Sequence, residues 1–254
     1  MEKITAIIQA RLGSSRLPGK TLMTIKGETL LGHLINRVKI SRYITDIIIA
    51  TTTHKKDDAI IAFVKEKGLK VYRGSEEDVL DRFYKTAVEY GAESIVRVTP
   101  DCPMLDPDIM DRVISKYLEG TYDYVSNTMP PTYPDGYDAE VFSFSALEKA
   151  WKETTLYSER EHVTPYIYKH PDLFRLYNVK KDGEDLSWMR FTVDTPRDYE
   201  FVSKIFEKLN RVNAIFYMND ILKLLKESPE LLDINNGISR NEGYQISLLK
   251  DRKT

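Results

Sequence analysis

Ile4-Thr5-Ala6-Ile7-Ile8-Gln9-Ala10-Arg11-Leu12-Gly13-Ser14-Ser15-Arg16-Leu17-Pro18-Gly19-Lys20-Thr21 is the stretch on which the reading of this chain turns. Its first seven residues form an apolar run suited to a buried strand. The next eleven carry three cations, two glycines and two serines. Glycines let a backbone approach a ligand closely, amides donate to oxygens, and Arg and Lys neutralise charge, so the loop fits a polyphosphate cradle at a strand's carboxyl end. The P-loop pattern G-x-x-x-x-G-K-[ST] misses by one residue, because five residues separate Gly13 from Gly19. Pro18 also removes an amide just before the second glycine. A misread P-loop and a solvated basic turn stand beside the cradle as alternatives.

Outward from this loop, two periodicities alternate. Helical spacing over Leu30 to Val38 is followed by a β-branched run, Asp46 to Thr51. Asp57 to Lys67 then reads as a helix stopped at Gly68, Lys70 to Arg73 as a strand, and Asp78 to Tyr90 as a helix stopped at Gly91. Ser94 to Thr99 is a strand; Asp106 and Pro107 offer a cap and first-turn proline for a helix to about Leu118, with a strand near Tyr124. The alternation predicts a mostly parallel sheet with helices on both faces, and ligands at the strands' carboxyl ends. The second half is less regular: a Pro-, Tyr- and Asp-rich loop over 128–138, a strand near Val141, helices over 145–153 and 159–169, a strand over 190–193 and a helix from Pro196. One domain over 1–254, with a lobe at about 128–190, is expected.

Composition narrows the class. In 254 residues, 37 Lys plus Arg nearly cancel 39 Asp plus Glu, so there is no basic excess for bulk nucleic-acid binding. No apolar stretch approaches the ~18 residues of a spanning helix. Met1-Glu2-Lys3-Ile4 does not begin a signal peptide, and a lone cysteine, Cys102, excludes a disulfide framework. A cytoplasmic globular protein is expected.

Residues 7–20 resemble the opening signature of the cytidylyltransferases that make CMP-activated acidic sugars, the 3-deoxy-manno-octulosonate and acylneuraminate enzymes among them. The likeness is strongest to the branch of spore-coat polysaccharide biosynthesis protein F. It continues through Arg73-Gly74-Ser75-Glu76-Glu77-Asp78-Val79-Leu80-Asp81-Arg82, Asp101-Cys102-Pro103, Arg160-Glu161-His162-Val163-Thr164-Pro165-Tyr166, Thr192-Val193-Asp194-Thr195-Pro196 and Arg240-Asn241-Glu242-Gly243-Tyr244. The resemblance implies a Rossmann-like, nucleotide-diphospho-sugar transferase-like fold with about seven strands and a small dimerisation lobe. It implies that Ala10, Arg11, Gly13, Ser14, Arg16 and Lys20 hold CTP, with Arg73 and Ser75 over the cytosine and ribose. It implies further that Asp101 and Asp194 hold Mg²⁺. Thr99-Pro100 stands where the 3-deoxy-manno-octulosonate enzymes carry Gln-Gly, so a side-chain amide contact to the base is missing there.

Each assignment has a rival in the residues themselves. Asp101 could cap a helix or form an Asx turn, and Asp-Thr-Pro at 194–196 is an ordinary N-cap signal. Arg73-Gly74-Ser75 could be a plain turn. Thr51 to Thr53 with Asp57 and Asp58 could line the same cleft, but reads as capping of the following helix. Glu140, beyond the Tyr133–Asp138 loop, is the candidate acceptor contact, and Arg160 could pair with a substrate carboxylate. His162 reads as structural. The expected activity is Mg²⁺-dependent transfer of CMP from CTP to a small acidic acceptor, with Arg11, Arg16, Lys20 and Asp101 as the catalytic set. A kinase and a non-catalytic nucleotide-binding protein are the alternatives. A homodimer is expected, because Tyr133, Tyr137, Phe142, Phe144 and Trp151 exceed the apparent needs of the sheet.

Overall fold

The computed structural model describes residues 3–209 and 215–252; Met1 and Glu2, read above for the absence of a leader, lie outside them. β1 (Ile4–Gln9) leads into a small hairpin, β2 (Thr24–Ile25) and β3 (Glu28–Thr29), then α1 (Leu30–Val38) and β4 (Ile44–Thr52). α2 (Asp58–Glu66), β5 (Lys70–Gly74), α3 (Val79–Tyr90), β6 (Ser94–Val98), α4 (Pro107–Tyr117) and β7 (Tyr124–Ser126) continue the alternation. The second half holds β8 (Glu140–Ser143), α5 (Phe144–Glu153), α6 (Tyr157–His162), α7 (Pro165–Lys169), β9 (Leu176–Asn178), α8 (Pro196–Leu209), α9 (Met218–Glu227) and α10 (Glu242–Asp251).

The strands form one seven-stranded sheet, ordered β5-β4-β1-β6-β8-β7-β9. β1 runs parallel to β4 and β6, while β8 lies antiparallel between β6 and β7. Alternation along β1 divides the core. Ile4, Ala6 and Ile8 pack on the face covered by α1, α2 and α4, and Ile7 on the face covered by α3 and α5. Each buried isoleucine contributes roughly 1.5–3 kcal/mol, so the strand that feeds the loop is among the best anchored in the sheet. Local signals set the helix ends as read. Asp106 accepts from the Asp108 and Ile109 amides under Pro107, Asp78 accepts from the Asp81 amide, and Gly68 and Gly91 turn the chain out of α2 and α3 at φ 68° and 62°.

Two expectations fail. The helix over 159–169 is broken between α6 and α7, where Val163 takes φ 73°. The left-handed turn at Val163 ends α6, and Pro165, with no amide to donate, opens α7 as its first-turn proline. Residues 190–193 are no strand. Arg190 forms a lone parallel bridge with Asp135, and the segment bonds to loops, the Phe191 amide donating to the Asp135 carbonyl (2.7 Å) and the Val193 amide to the Asp101 carbonyl (2.8 Å). Of the aromatic residues behind the dimer expectation, Tyr133, Tyr137 and Phe142 are at most 1% exposed and fill the chain's own core, while Phe144 and Trp151 are half-buried against it. The stretch expected as a lobe supplies β8 and β9 to the main sheet.

Candidate active site

A cleft of about 860 Å³ opens where β1 and β6 end. Residues 11–21 form one wall. Gly19, at φ 75°, donates its amide to the Leu12 carbonyl (3.1 Å) and closes the loop on itself, a conformation that glycine adopts at low cost. The Thr21 hydroxyl donates to the Arg11 carbonyl at 2.8 Å. Below the loop sits Asp57, fully buried, which accepts from the Leu12 amide (2.8 Å) and the Thr52 hydroxyl. Its carboxylate therefore anchors the basic loop, a task that the capping signal in the sequence did not disclose. Lys20 opens a short 3₁₀ turn, Lys20–Leu22, in place of the long helix of a P-loop. That removes the structural basis for the P-loop reading.

Lys20 is the centre of the site. Its ammonium donates to Asp101 Oδ2 (2.9 Å), Asp194 Oδ1 (2.7 Å) and the Val193 carbonyl (2.8 Å). Burial opposes its charge, yet the two carboxylates outweigh burial and hold its pKa above the usual lysine value. Burial likewise opposes the Asp101 carboxylate, which Lys20 and the Thr99 hydroxyl nonetheless pull down to about 2. Asp194 also meets Arg16 (3.0 Å) and Arg190 (3.1 Å), and Arg16 reaches Glu242 on α10 at 2.6 Å. Arg190 is shared further with Asp135 (2.7 Å) and Asp198 (2.9 Å).

The capping alternatives for the two aspartates fall. α8 is capped by Thr195 and Asp198 as a reciprocal box: the Thr195 hydroxyl oxygen accepts from the Asp198 amide (3.2 Å), and Asp198 Oδ2 accepts from the Asp194 and Thr195 amides at 3.0 and 2.9 Å. The Asp194 side chain is thereby left to the cluster. α4 is capped by Asp106, not Asp101. The charge argument for a metal needs correction too, because the cation between the aspartates is Lys20 itself. Two carboxylate oxygens converging within 3 Å of one point still suit a hard dication that keeps waters. Among the described residues no third His, Cys, Asp or Glu completes a protein-only metal cage.

The other expected site residues divide. Ala10, Arg11, Gly13, Ser14, Arg16 and Lys20 line the cleft. Arg73 and Ser75 do not. The Arg73 guanidinium is held by the Thr52 carbonyl (3.0 Å) and Asp58 (3.0 Å), and the Ser75 hydroxyl accepts from the Asp78 amide at the start of α3. Glu140 lines the cleft, but its carboxylate accepts from Tyr124 and Thr164 (both 2.6 Å) and pairs with Arg97. Arg160 is outside the cleft, bound to Asp78 (2.6 Å) and the Trp151 carbonyl (2.8 Å), and so offers nothing to an acceptor. Cys102 is buried beside Asp101, and burial pushes its thiol well up, which removes nucleophilic character. His162 meets the Ser247 hydroxyl at 3.0 Å and stands edge-on to Tyr244; burial lowers its pKa to about 4, as suits a structural histidine. Sequence reasoning missed Arg97, Arg190 and Asp198, and it gave no separate role to Arg82 or to residues 240–244 within their quoted motifs. Only Asp198 carried a readable signal, four positions after Asp194 at a helix start.

Residues 5–226 match the cytidylyltransferase family. Spore coat polysaccharide biosynthesis protein SpsF of Bacillus subtilis is 33% identical, across 91% of this chain and 97% of that protein. The 3-deoxy-manno-octulosonate cytidylyltransferase of Geobacter sulfurreducens is 30% identical, across 81% of this chain and 99% of its own. The structure of a cytidylyltransferase from Leptospira borgpetersenii superposes with a TM-score of 0.86 at 32% identity, covering 94% of this chain and all of the other. With its seven-stranded, mostly parallel sheet and its cationic loop after β1, the chain belongs to the cytidylyltransferase family.

Proposed function

We propose that this nucleotidyltransferase moves CMP from CTP, with Mg²⁺, to a hydroxyl of an acidic sugar in surface-polysaccharide synthesis. One observation carries the reading: Asp101 and Asp194 meet at a single cation beside the loop that bears Arg11 and Arg16. The names of the two relatives support the pathway and the acceptor class. The acceptor oxygen forms a bond to the α-phosphorus, the bond from α-phosphorus to the bridging oxygen breaks, and pyrophosphate leaves. Such a transfer asks the protein mainly to position reactants and to neutralise developing charge.

Asp101 and Asp194 are the residues that would hold Mg²⁺, which supplies Lewis-acid polarisation of the α-phosphate. Lys20, within 2.7–2.9 Å of both carboxylates, would turn its ammonium to the phosphate oxygens if the aspartates held the ion. Arg11 and Arg16 neutralise the leaving pyrophosphate, and Asp57 keeps their loop in place through Leu12. The flank bearing Glu140 and Arg97 receives the acceptor. Pyrophosphate release from CTP with a panel of sugar acids, with and without Mg²⁺, tests the reading. Release with ATP but not CTP would overturn it.

A further inference from the structure

α10 lies beyond residues 5–226, the stretch that matches the family, yet it walls the nucleotide cleft through Glu242, Tyr244, Ser247 and Lys250. The chain leading to it is fixed. Arg197 donates to the Asp233, Ile234 and Asn236 carbonyls (2.6–3.2 Å), and Arg240 to the Tyr133 carbonyl (3.2 Å) and to Asp138. Asn241 then takes φ 58°, a left-handed turn that asparagine tolerates, and α10 begins.

Polar contacts alone hold α10. Of its described residues only Ser247 is buried, and Ile246 and Leu249 are 51% and 57% exposed. No apolar side chain of the helix joins the core. Asp251 accepts from the Ser158 amide (2.8 Å) and hydroxyl, Ser247 meets Glu161 and His162 (3.0 Å), and Lys250 donates to the Tyr157 hydroxyl (2.8 Å). Such contacts exchange readily for water, so a helix without apolar burial opens far more easily than the sheet beneath it.

The same helix covers both arginines of the phosphate loop. Glu242 Oε2 accepts from Arg16 Nη1 at 2.6 Å while Asp194 takes Arg16 Nη2 at 3.0 Å, so this guanidinium lies between two carboxylates. Glu161, gripped by Ser247 of α10, stands 3.8 Å from Arg11. Phosphate oxygens arriving at Arg16 meet Glu242 as a like charge on the same guanidinium, and the repulsion favours its departure.

We propose that Glu242 is an internal anion that latches α10 over the phosphate loop, and that a polyphosphate, by taking Arg16, releases the helix about Asn241. This rests on the assignment of the triphosphate to Arg11 and Arg16 in the reading above. With α10 shut, the chain's own carboxylates neutralise the loop; with α10 released, its cations face the nucleotide.

Hydrogen–deuterium exchange of the whole protein, read on peptides covering 242–251, tests this with CTP plus Mg²⁺ and with inorganic tripolyphosphate as probes. Calorimetric titration of both probes into the wild type and Glu242→Gln accompanies it. The variant keeps the shape of the side chain and removes its charge. Either probe at saturation speeds exchange in α10 at least about 3-fold, while that of the sheet does not rise. Without a probe, α10 exchanges about 2–5-fold faster in Glu242→Gln than in the wild type, and the variant binds both probes about 2–5-fold more tightly, the range of a half-exposed ion pair. Slower or unaltered exchange of α10 on binding overturns the proposal, and so does a Glu242→Gln variant that binds the probes equally or more weakly. Release of α10 by tripolyphosphate without any binding of CTP upholds the latch and refutes the cytidylyltransferase reading. Binding of neither probe refutes both.

Discussion

Replacing Lys20 by Met removes one ammonium and leaves two carboxylates aimed at the same point. Three hydrogen bonds of 2.7–2.9 Å disappear, two of them to charged acceptors. Taking one partner out of a buried ion pair costs about 3–5 kcal/mol. The Asp101 and Asp194 side chains remain 23% and 19% exposed, so water relieves part of the repulsion. The loss is then about 2–4 kcal/mol, which in a domain of this size lowers Tm by about 4–16 °C. A dication takes the vacated place, and at ~100 times its Kd it restores up to about 2.7 kcal/mol. Thermal unfolding followed by calorimetry, with and without MgCl₂, therefore shows a larger Mg²⁺-induced rise in Lys20→Met than in the wild type, where ion and ammonium compete. Equal Tm values for the two proteins without metal, or identical Mg²⁺ shifts in both, would refute the reasoning.

Asp194→Asn keeps α8 capped, because Thr195 and Asp198 perform that task, and so folds with a normal melting profile. It nonetheless loses ~10²-fold or more in turnover, the order expected when a charge-stabilising contact goes, and a fully active variant would contradict the site. Asp57→Ala orphans the Leu12 amide and the Thr52 hydroxyl in the interior. It costs about 2–4 kcal/mol by urea unfolding and raises the KM for nucleotide through a loosened loop. His162 has a folded pKa of about 4 against 6.5 for the free side chain, so the unfolded chain takes up the proton more readily as pH falls through that window. Stability held above pH ~6.5 is lost toward pH ~4. Between pH 7.5 and 5 the wild type should lose about 1–2 kcal/mol more than His162→Gln in paired urea titrations.

The first half of the fold was legible because each of its signals is local. Leu30 to Val38 carries its own periodicity, Asp106-Pro107 its own cap, and Gly68 and Gly91 their own stops. The second half depends on partners distant in sequence. Residues 190–193 look like a strand by apolar content, yet their hydrogen bonds go to the loops at Asp101 and Asp135, which no periodicity encodes. The basic loop and the two aspartates could be read as a set of charges, but not as a geometry. That Lys20 would sit between Asp101 and Asp194 follows from how β1, β6 and the 191–194 segment meet in space. Arg73 and Arg82 show the limit from the other side. Both lie in one short quoted stretch, and only packing decides that Arg73 turns to Asp58 while Arg82 is walled into the cleft.

Phosphorus-31 NMR of CTP incubated with the protein, Mg²⁺ and sugar-acid acceptors follows each phosphorus atom through the reaction. In-line attack at the α-phosphorus predicts a new phosphodiester signal from CMP joined to the acceptor, with inorganic pyrophosphate appearing in equal amount. A product that retains the α- and β-phosphorus as CDP while the γ-phosphoryl group moves to the acceptor would contradict the account and make the protein a kinase.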